Sequence, residues 1–269
     1  MPSCDRSLSI AAAAVLLVAA PLVSSQLPEP NAAGIRTGHI HLIVPDMADH
    51  LRIWKLLGGE EKRSGDLPLL AFPGIYVVLT AGQPAAPSSE TAINHVGFSV
   101  RDYADYKARL KAVGATFVFD SAENGQIIAD LPGGVRLEFL ADREQSAPIA
   151  FHHAHLSAVD GAAMRDWYVR VFGAEPSERR NLPSAVVPGG RIDFLPVRGD
   201  APRPSKGAAI DHIGFEAQDL KAFVQHVQDL GVALERGPTN VAAIGLAVAF
   251  LSDPAGAYIE ITEGLDDVR

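Results

Sequence analysis

The stretch GHIHLIVPD (residues 38–46) returns in altered form three more times along the chain: NHVGFSVRD (94–102), HHAHLSAVD (152–160) and DHIGFEAQD (211–219). In each, a histidine stands seven residues before an aspartate: His39 and Asp46, His95 and Asp102, His153 and Asp160, His212 and Asp219. The histidines recur at intervals of 56, 58 and 59 residues. A fixed period of that size marks a structural unit used repeatedly.

Each copy opens with the alternation of a strand. Val96, Phe98 and Val100 point one way while His95, Gly97 and Ser99 point the other; Ile213, Phe215 and Ala217 oppose His212, Gly214 and Glu216 in the same manner. The histidines therefore lie on the face away from the apolar side. Each aspartate stands where a helix N-cap accepts from free backbone N–H groups. The helical segment that follows stops at Gly58, Gly114, Gly173 or Gly231, the residue type that tolerates the left-handed position after a helix. Two or three further strands close each unit, ending in GIYVVLT, GVRLEFL, RIDFLPV and GAYIEIT.

Copies one and three share His-x-His-Leu; copies two and four share His-x-Gly-Phe. This alternation indicates that a two-unit domain was itself duplicated. It divides the chain into an expected first domain over 37–141 and a second over 150–264, with the boundary near ADREQSAPIA (141–150).

The 48% hydrophobic and 20% charged composition is that of a globular protein. A net charge of −9 without a long basic run argues against nucleic acid as a partner. The apolar run LSIAAAAVLLVAAPLV (8–23) is short for a membrane span and reads as a secretory signal cut near Ser25/Gln26, with residues 26–36 as a flexible lead-in. On that reading the mature protein is periplasmic or secreted, without stable membrane insertion; an uncleaved anchor is the alternative. The single cysteine, Cys4, falls inside the signal, which leaves no thiolate ligand or disulfide in the remainder.

The four His-to-Asp openings and the closing DPAGAYIEITEG (253–264) resemble the vicinal oxygen chelate superfamily of glyoxalases, bleomycin-resistance proteins and extradiol dioxygenases, over residues 37–264. The resemblance implies an α+β fold of four βαβββ modules, paired so that each pair curls a mixed sheet around one cleft. It also implies a divalent ion (Fe, Mn, Zn or Ni) held by first and last strands. Carried over by position, the ligands are His39, His95 and Glu138 in the first domain, and His153, His212 and Glu260 in the second. Two imidazoles and a carboxylate suit such an ion and leave positions open for substrate. A fourth position reads Val78 in copy one and Asp193 in copy three. Asp193 is thus expected as a fourth ligand or as a base, and the second domain as the stronger metal site.

His41 and His155 lie two residues beyond ligand positions and share their face; each is a candidate for substrate contact, proton transfer or alternative ligation. His152 is expected to face away, and His50 and His226 to be solvated. Trp167, Tyr168, Val171 and Phe172 have core spacing, and Tyr258 shares the face of Glu260. Ring-cleaving relatives carry a histidine and a tyrosine where this chain has Val241–Ala243 and Phe250, which ranks extradiol dioxygenation low. A glyoxalase-like isomerase, lyase or epimerase acting on a small molecule with vicinal oxygens fits better, with Asp193 or Glu260 as base. A non-catalytic sequestering protein of the bleomycin-resistance type is the alternative.

Overall fold

The computed structural model describes residues 27–197 and 200–269; the signal read at 1–25 lies outside them. Each repeat is a strand, a helix and three strands. Module 1 comprises β1 (Ile35–Val44), α1 (Met47–Leu56), β2 (Glu60–Ser64), β3 (Leu67–Phe72) and β4 (Ile75–Ala81). Module 2 comprises β5 (Ile93–Val100), α2 (Tyr103–Ala112), β6 (Thr116–Ser121), β7 (Gln126–Asp130) and β8 (Arg136–Ala141). Module 3 comprises β9 (Ile149–Ala158), α3 (Gly161–Phe172), β10 (Glu175–Arg179), β11 (Leu182–Val187) and β12 (Gly190–Pro196). Module 4 comprises β13 (Ile210–Ala217), α4 (Leu220–Asp229), β14 (Arg236–Val241), β15 (Leu246–Ser252) and β16 (Tyr258–Glu263).

The helix signals act as the sequence indicates. Asp46, Asp102, Asp160 and Asp219 each accept from the backbone N–H three residues on, and Gly58, Gly114, Gly173 and Gly231 all have positive φ. No helix of the described residues is long and apolar enough to cross a membrane.

The modules assemble into two eight-stranded mixed sheets, in the orders β14-β15-β16-β13-β1-β4-β3-β2 and β10-β11-β12-β9-β5-β8-β7-β6. One sheet joins modules 1 and 4 through antiparallel β1 and β13; the other joins modules 2 and 3 through antiparallel β5 and β9. The expectation that each half of the chain encloses its own cleft is therefore corrected: each sheet draws on both halves. The connection over residues 142–148 shows why. It folds back tightly, with Asp142 N–H donating to Val100 and Arg101 N–H to Pro148, and so delivers β9 directly to the free edge of β5.

The two modules of each half still meet, across the backs of the two sheets. Phe98 of module 2 packs against Trp54 and Phe72 of module 1, the Phe72 ring 5.2 Å away. Phe172 of module 3 lies 4.5 Å from Phe215 of module 4. These rings join the sheets in one continuous core. Burying each contributes roughly 1.5–3 kcal/mol. Trp167, Tyr168, Val171 and Phe172 are core residues, as their spacing indicates. The lead-in is more ordered than expected: Leu27 is buried, β1 already begins at Ile35, and Asn31 Nδ2 donates to the carbonyls of Phe172 and Gly173 at the end of α3.

Two candidate metal centres

The crossed pairing regroups the ligands. In the sheet of modules 1 and 4, His39 and His41 on β1 meet His212 on β13 and Glu260 on β16. His39 Nε2 is 3.2 Å from His212 Nε2, and Glu260 Oε2 lies 3.0 Å from the first and 2.8 Å from the second. In the sheet of modules 2 and 3, His95 on β5 and Glu138 on β8 meet His153 and His155 on β9. Glu138 Oε2 is 3.1 Å from His95 Nε2 and 2.9 Å from His153 Nε2. The expected set of His153, His212 and Glu260 is thus split between the sheets, as is the set of His39, His95 and Glu138. Every residue occupies a cluster of the expected composition, but with the partner from the other half of the chain.

The sequence alternation has a steric cause. Gly214 lies opposite His39, and Gly97 opposite His153. A Cβ on Gly214 would sit 2.1 Å from the His39 ring, and one on Gly97 would sit 2.0 Å from the His153 ring. His-x-Gly in one module is the space into which the first histidine of a His-x-His module folds.

Four β-bulges refine the geometry. The pairing skips Gly38 on β1, Asp211 on β13, Asn94 on β5 and His152 on β9. A bulged residue escapes the alternation and can be aimed at a neighbour on the other face. Asp211 Oδ1 contacts His212 Nδ1 at 2.5 Å, Asn94 Oδ1 contacts His95 Nδ1 at 2.8 Å, and His152 Nδ1 contacts His153 Nδ1 at 2.8 Å. Such outer partners fix the ring so that Nε2 faces the centre. A strict period of two hides them, and His152 is corrected from a residue facing away to one that contacts the candidate ligand His153. Their signal was a polar residue directly before a ligand histidine, on the otherwise apolar side of its strand.

The electrostatics of the clusters differ. Burial lowers His212, but Asp211 and Glu260 outweigh it and raise the group to about 8. Burial dominates at His153, lowered to about 3 despite Glu138, and at His95, which is also lowered. Burial likewise lowers His41 to about 3, reinforced by its histidine neighbours. Burial tends to raise both glutamates, yet the paired imidazoles hold Glu138 and Glu260 well below the ordinary carboxylate range.

Asp193 is fully buried on β12 beside His155. It accepts from Ser184 Oγ and Arg179 Nη1, the latter at 3.1 Å, and Arg191 Nε lies 3.6 Å away. Burial tends to raise it, but His155 and Ser184 bring it down to about 2. Its charge is thus committed to neighbouring cations. His155 Nε2 is 3.3 Å from Asp193 Oδ2 without hydrogen-bond alignment, and both ring nitrogens of His155 lack a hydrogen-bond partner. In the other cluster Val78 takes the place of Asp193, opposite His41, and His41 Nε2 instead meets Thr80 Oγ1 at 2.7 Å. The remaining expectations divide. His226 is exposed, but His50 is buried rather than solvated. Tyr258 packs edge-on against His212 and stacks on Phe250.

Both clusters fit a divalent ion. With bonds of about 2.1 Å, adjacent ligands around an octahedral ion stand about 3 Å apart, and the measured separations of 2.8–3.2 Å are of that size. The unpartnered His155 nitrogens and His39 Nδ1 are buried polar atoms that the protein alone leaves unsatisfied. The clusters differ in access. A cavity of about 110 Å³ borders His39, His41 and Glu260. The Glu138 side chain is 2% exposed against 12% for Glu260. Gln126 donates to the second oxygen of Glu138 at 2.6 Å, and the corresponding residue in module 4 is Val248.

Residues 150–261 match the family model described as Glyoxalase/Bleomycin resistance protein/Dioxygenase superfamily, the grouping that the repeats resemble. No curated protein matches the sequence significantly. Among solved structures, glyoxalase I from Zea mays superimposes with a TM-score of 0.64 at 16% identity, covering 85% of this chain and 92% of that one. A provisionally assigned dioxygenase from Bacillus subtilis subsp. subtilis str. 168 gives 0.63 at 16% identity, covering 86% and 85%. These likenesses show that the paired α+β module fold extends over most of the chain.

Proposed function

We propose that the chain is a metal-dependent enzyme of glyoxalase type, an isomerase, lyase or epimerase, with its reactive centre at His39, His212 and Glu260. The observation that carries this reading is the convergence of these three ligand atoms beside a cavity. His39, His212 and Glu260 would hold the ion, and the ion would polarise vicinal substrate oxygens and stabilise negative charge developing beside them. Asp211 keeps the His212 ring turned toward the centre. Glu260 faces the cavity and is the carboxylate placed to take a proton from carbon next to a substrate carbonyl. His41 lines the same cavity as a substrate contact.

On this reading the His95, Glu138 and His153 cluster is a second, closed metal site. Asp193, paired with Arg179, serves it as a buried counter-charge beside His155 rather than as a base. The apolar leader makes the protein an exported one, periplasmic or secreted, whose mature chain starts near Gln26; N-terminal sequencing of the purified protein checks this, and a mature chain retaining Met1 contradicts it. Elemental mass spectrometry followed by screening with small hydroxy-ketones, epimerisable hydroxy acids and catechols tests the function. Stoichiometric metal with turnover of a hydroxy-ketone or hydroxy acid is expected. Tight ligand binding without metal would overturn the reading in favour of sequestration, and catechol cleavage would overturn it in favour of dioxygenation.

A further inference from the structure

The cavity at His39, His41 and Glu260 is bordered by a segment that has no part in ligation. Immediately after β16, residues 264–269 turn back over the cleft. Gly264 and Leu265 N–H groups donate to Glu216 Oε1 at 2.8 and 2.9 Å, and Thr262 Oγ1 donates to Glu216 Oε2 at 2.5 Å. Glu216 is 2% exposed, so this carboxylate is a buried anchor for the turn. Farther along, Arg269 exchanges two backbone hydrogen bonds with Arg63 on β2, at 2.8 and 3.1 Å, and Arg36 pairs with Asp266. The segment is therefore fixed at both ends.

Between the anchors Leu265 is driven inward, 1% exposed, into an apolar cluster with Leu69, Val78 and Leu246. The opposite rim closes too: Ser64 Oγ donates to Ile244 O at 2.6 Å and Asp66 N–H to Ala243 O at 2.9 Å. The cavity that remains has a metal-ligand floor and a roof of Leu67, Ile244, Leu246 and Leu265, with Val78 on its wall. Among the described residues its lining includes no lysine or arginine. At about 110 Å³ it has room for roughly three or four waters at about 30 Å³ each, against about 300–1,000 Å³ for drug-sized ligand sites.

We infer that Leu265, held by Glu216, sets substrate specificity: it admits short, uncharged hydroxy-carbonyl compounds with a small apolar end and excludes long-chain, conjugated and anionic ones. This rests on the cavity being the substrate site. In module 2 the residue matching Glu216 is Ser99, which has no carboxylate with which to anchor such a segment.

The test uses the full chain, metal-free and loaded with cobalt(II), titrated with hydroxyacetone and with homologues carrying a butyl or hexyl chain. Binding is read by methyl NMR in the metal-free protein and by visible absorption in the cobalt form. The wild type should favour hydroxyacetone and weaken along the series. Leu265→Ala should tighten the butyl homologue by about tenfold, the gain expected from accommodating two further methylenes, and Glu216→Gln should move the same way by releasing the anchor. Leu67→Ala opens the cavity from the opposite wall and serves if Leu265→Ala does not fold. Equal affinity along the series in the wild type, or no change in either cavity-opening variant, overturns the inference. A chain-length limit that responds to Leu265 in protein that takes up no cobalt would uphold the roof while refuting the metal centre.

Discussion

The two clusters are built to one plan, and their differences are more instructive than the plan. His39, His41, His212 and Glu260 correspond position by position to His153, His155, His95 and Glu138. Around these shared ligands almost everything polar has changed. Asp211 stands where the other centre has Asn94, Gly38 where it has His152, and Val78 where it has Asp193. One centre keeps a carboxylate behind a ligand histidine and an apolar cavity in front. The other surrounds its cluster with polar partners, through Gln126 on Glu138, His152 on His153, and Arg179 and Ser184 on the neighbouring Asp193. Since the candidate ligands are the same, the proposed function would have metal affinity and substrate access set separately, by the outer partners and by what covers the cleft.

The largest expected effect comes from removing a ligand. His212→Ala should abolish binding at the open centre, a loss exceeding the roughly 10–100-fold typical of an outer partner, while the closed centre keeps its ion. Isothermal titration with zinc resolves the two. Next comes the space for the ring. Gly214→Ala forces the His39 ring out of place and should cost about 1–3 kcal/mol of stability together with the open metal site; Gly97→Ala should do the same to the closed one. Denaturant titration and metal content measured on each variant check both.

A smaller change makes one centre resemble the other. Asp211→Asn should weaken metal at the open centre by about tenfold and lower His212 toward the behaviour of His95. Histidine NMR on the metal-free protein should find His212 protonated up to about pH 8 and His153 neutral down to about 3. The signs follow from linkage. His212 is raised above its ordinary 6.5, so its contribution to stability is complete below 6.5 and is lost as the pH rises through about 8. His153 is lowered, so its contribution is present above 6.5 and is lost as the pH falls toward about 3. Titration of both near 6.5 would mean that neither centre is buried and coupled in this way.

The repeat was legible because its signals are local. The aspartate caps, terminal glycines and alternating strands each depend on a few neighbouring residues, and all four modules follow from them. The composition of each centre was legible for the same reason. The partnership was not. Any His-x-His strand complements any His-x-Gly strand, so modules 1 and 2 satisfy the pattern as well as modules 1 and 4 do. What decides is the path of residues 142–148, which places β9 on β5, and that path has no periodicity to read. The outer partners escaped because bulges break the alternation at Asp211, Asn94 and His152. Glu216 and Leu265 escaped because their contact joins two elements in three dimensions.

Metal stoichiometry of paired variants tests the crossed assembly most directly. The unaltered chain should hold one divalent ion in each sheet. His39→Ala combined with His212→Ala damages a single centre and should leave the ion at His95, Glu138 and His153. His39→Ala combined with His95→Ala damages both and should leave none. The reverse outcome, with the ion kept in the second pair and lost in the first, would show that each half of the chain builds its own cleft and would contradict the account.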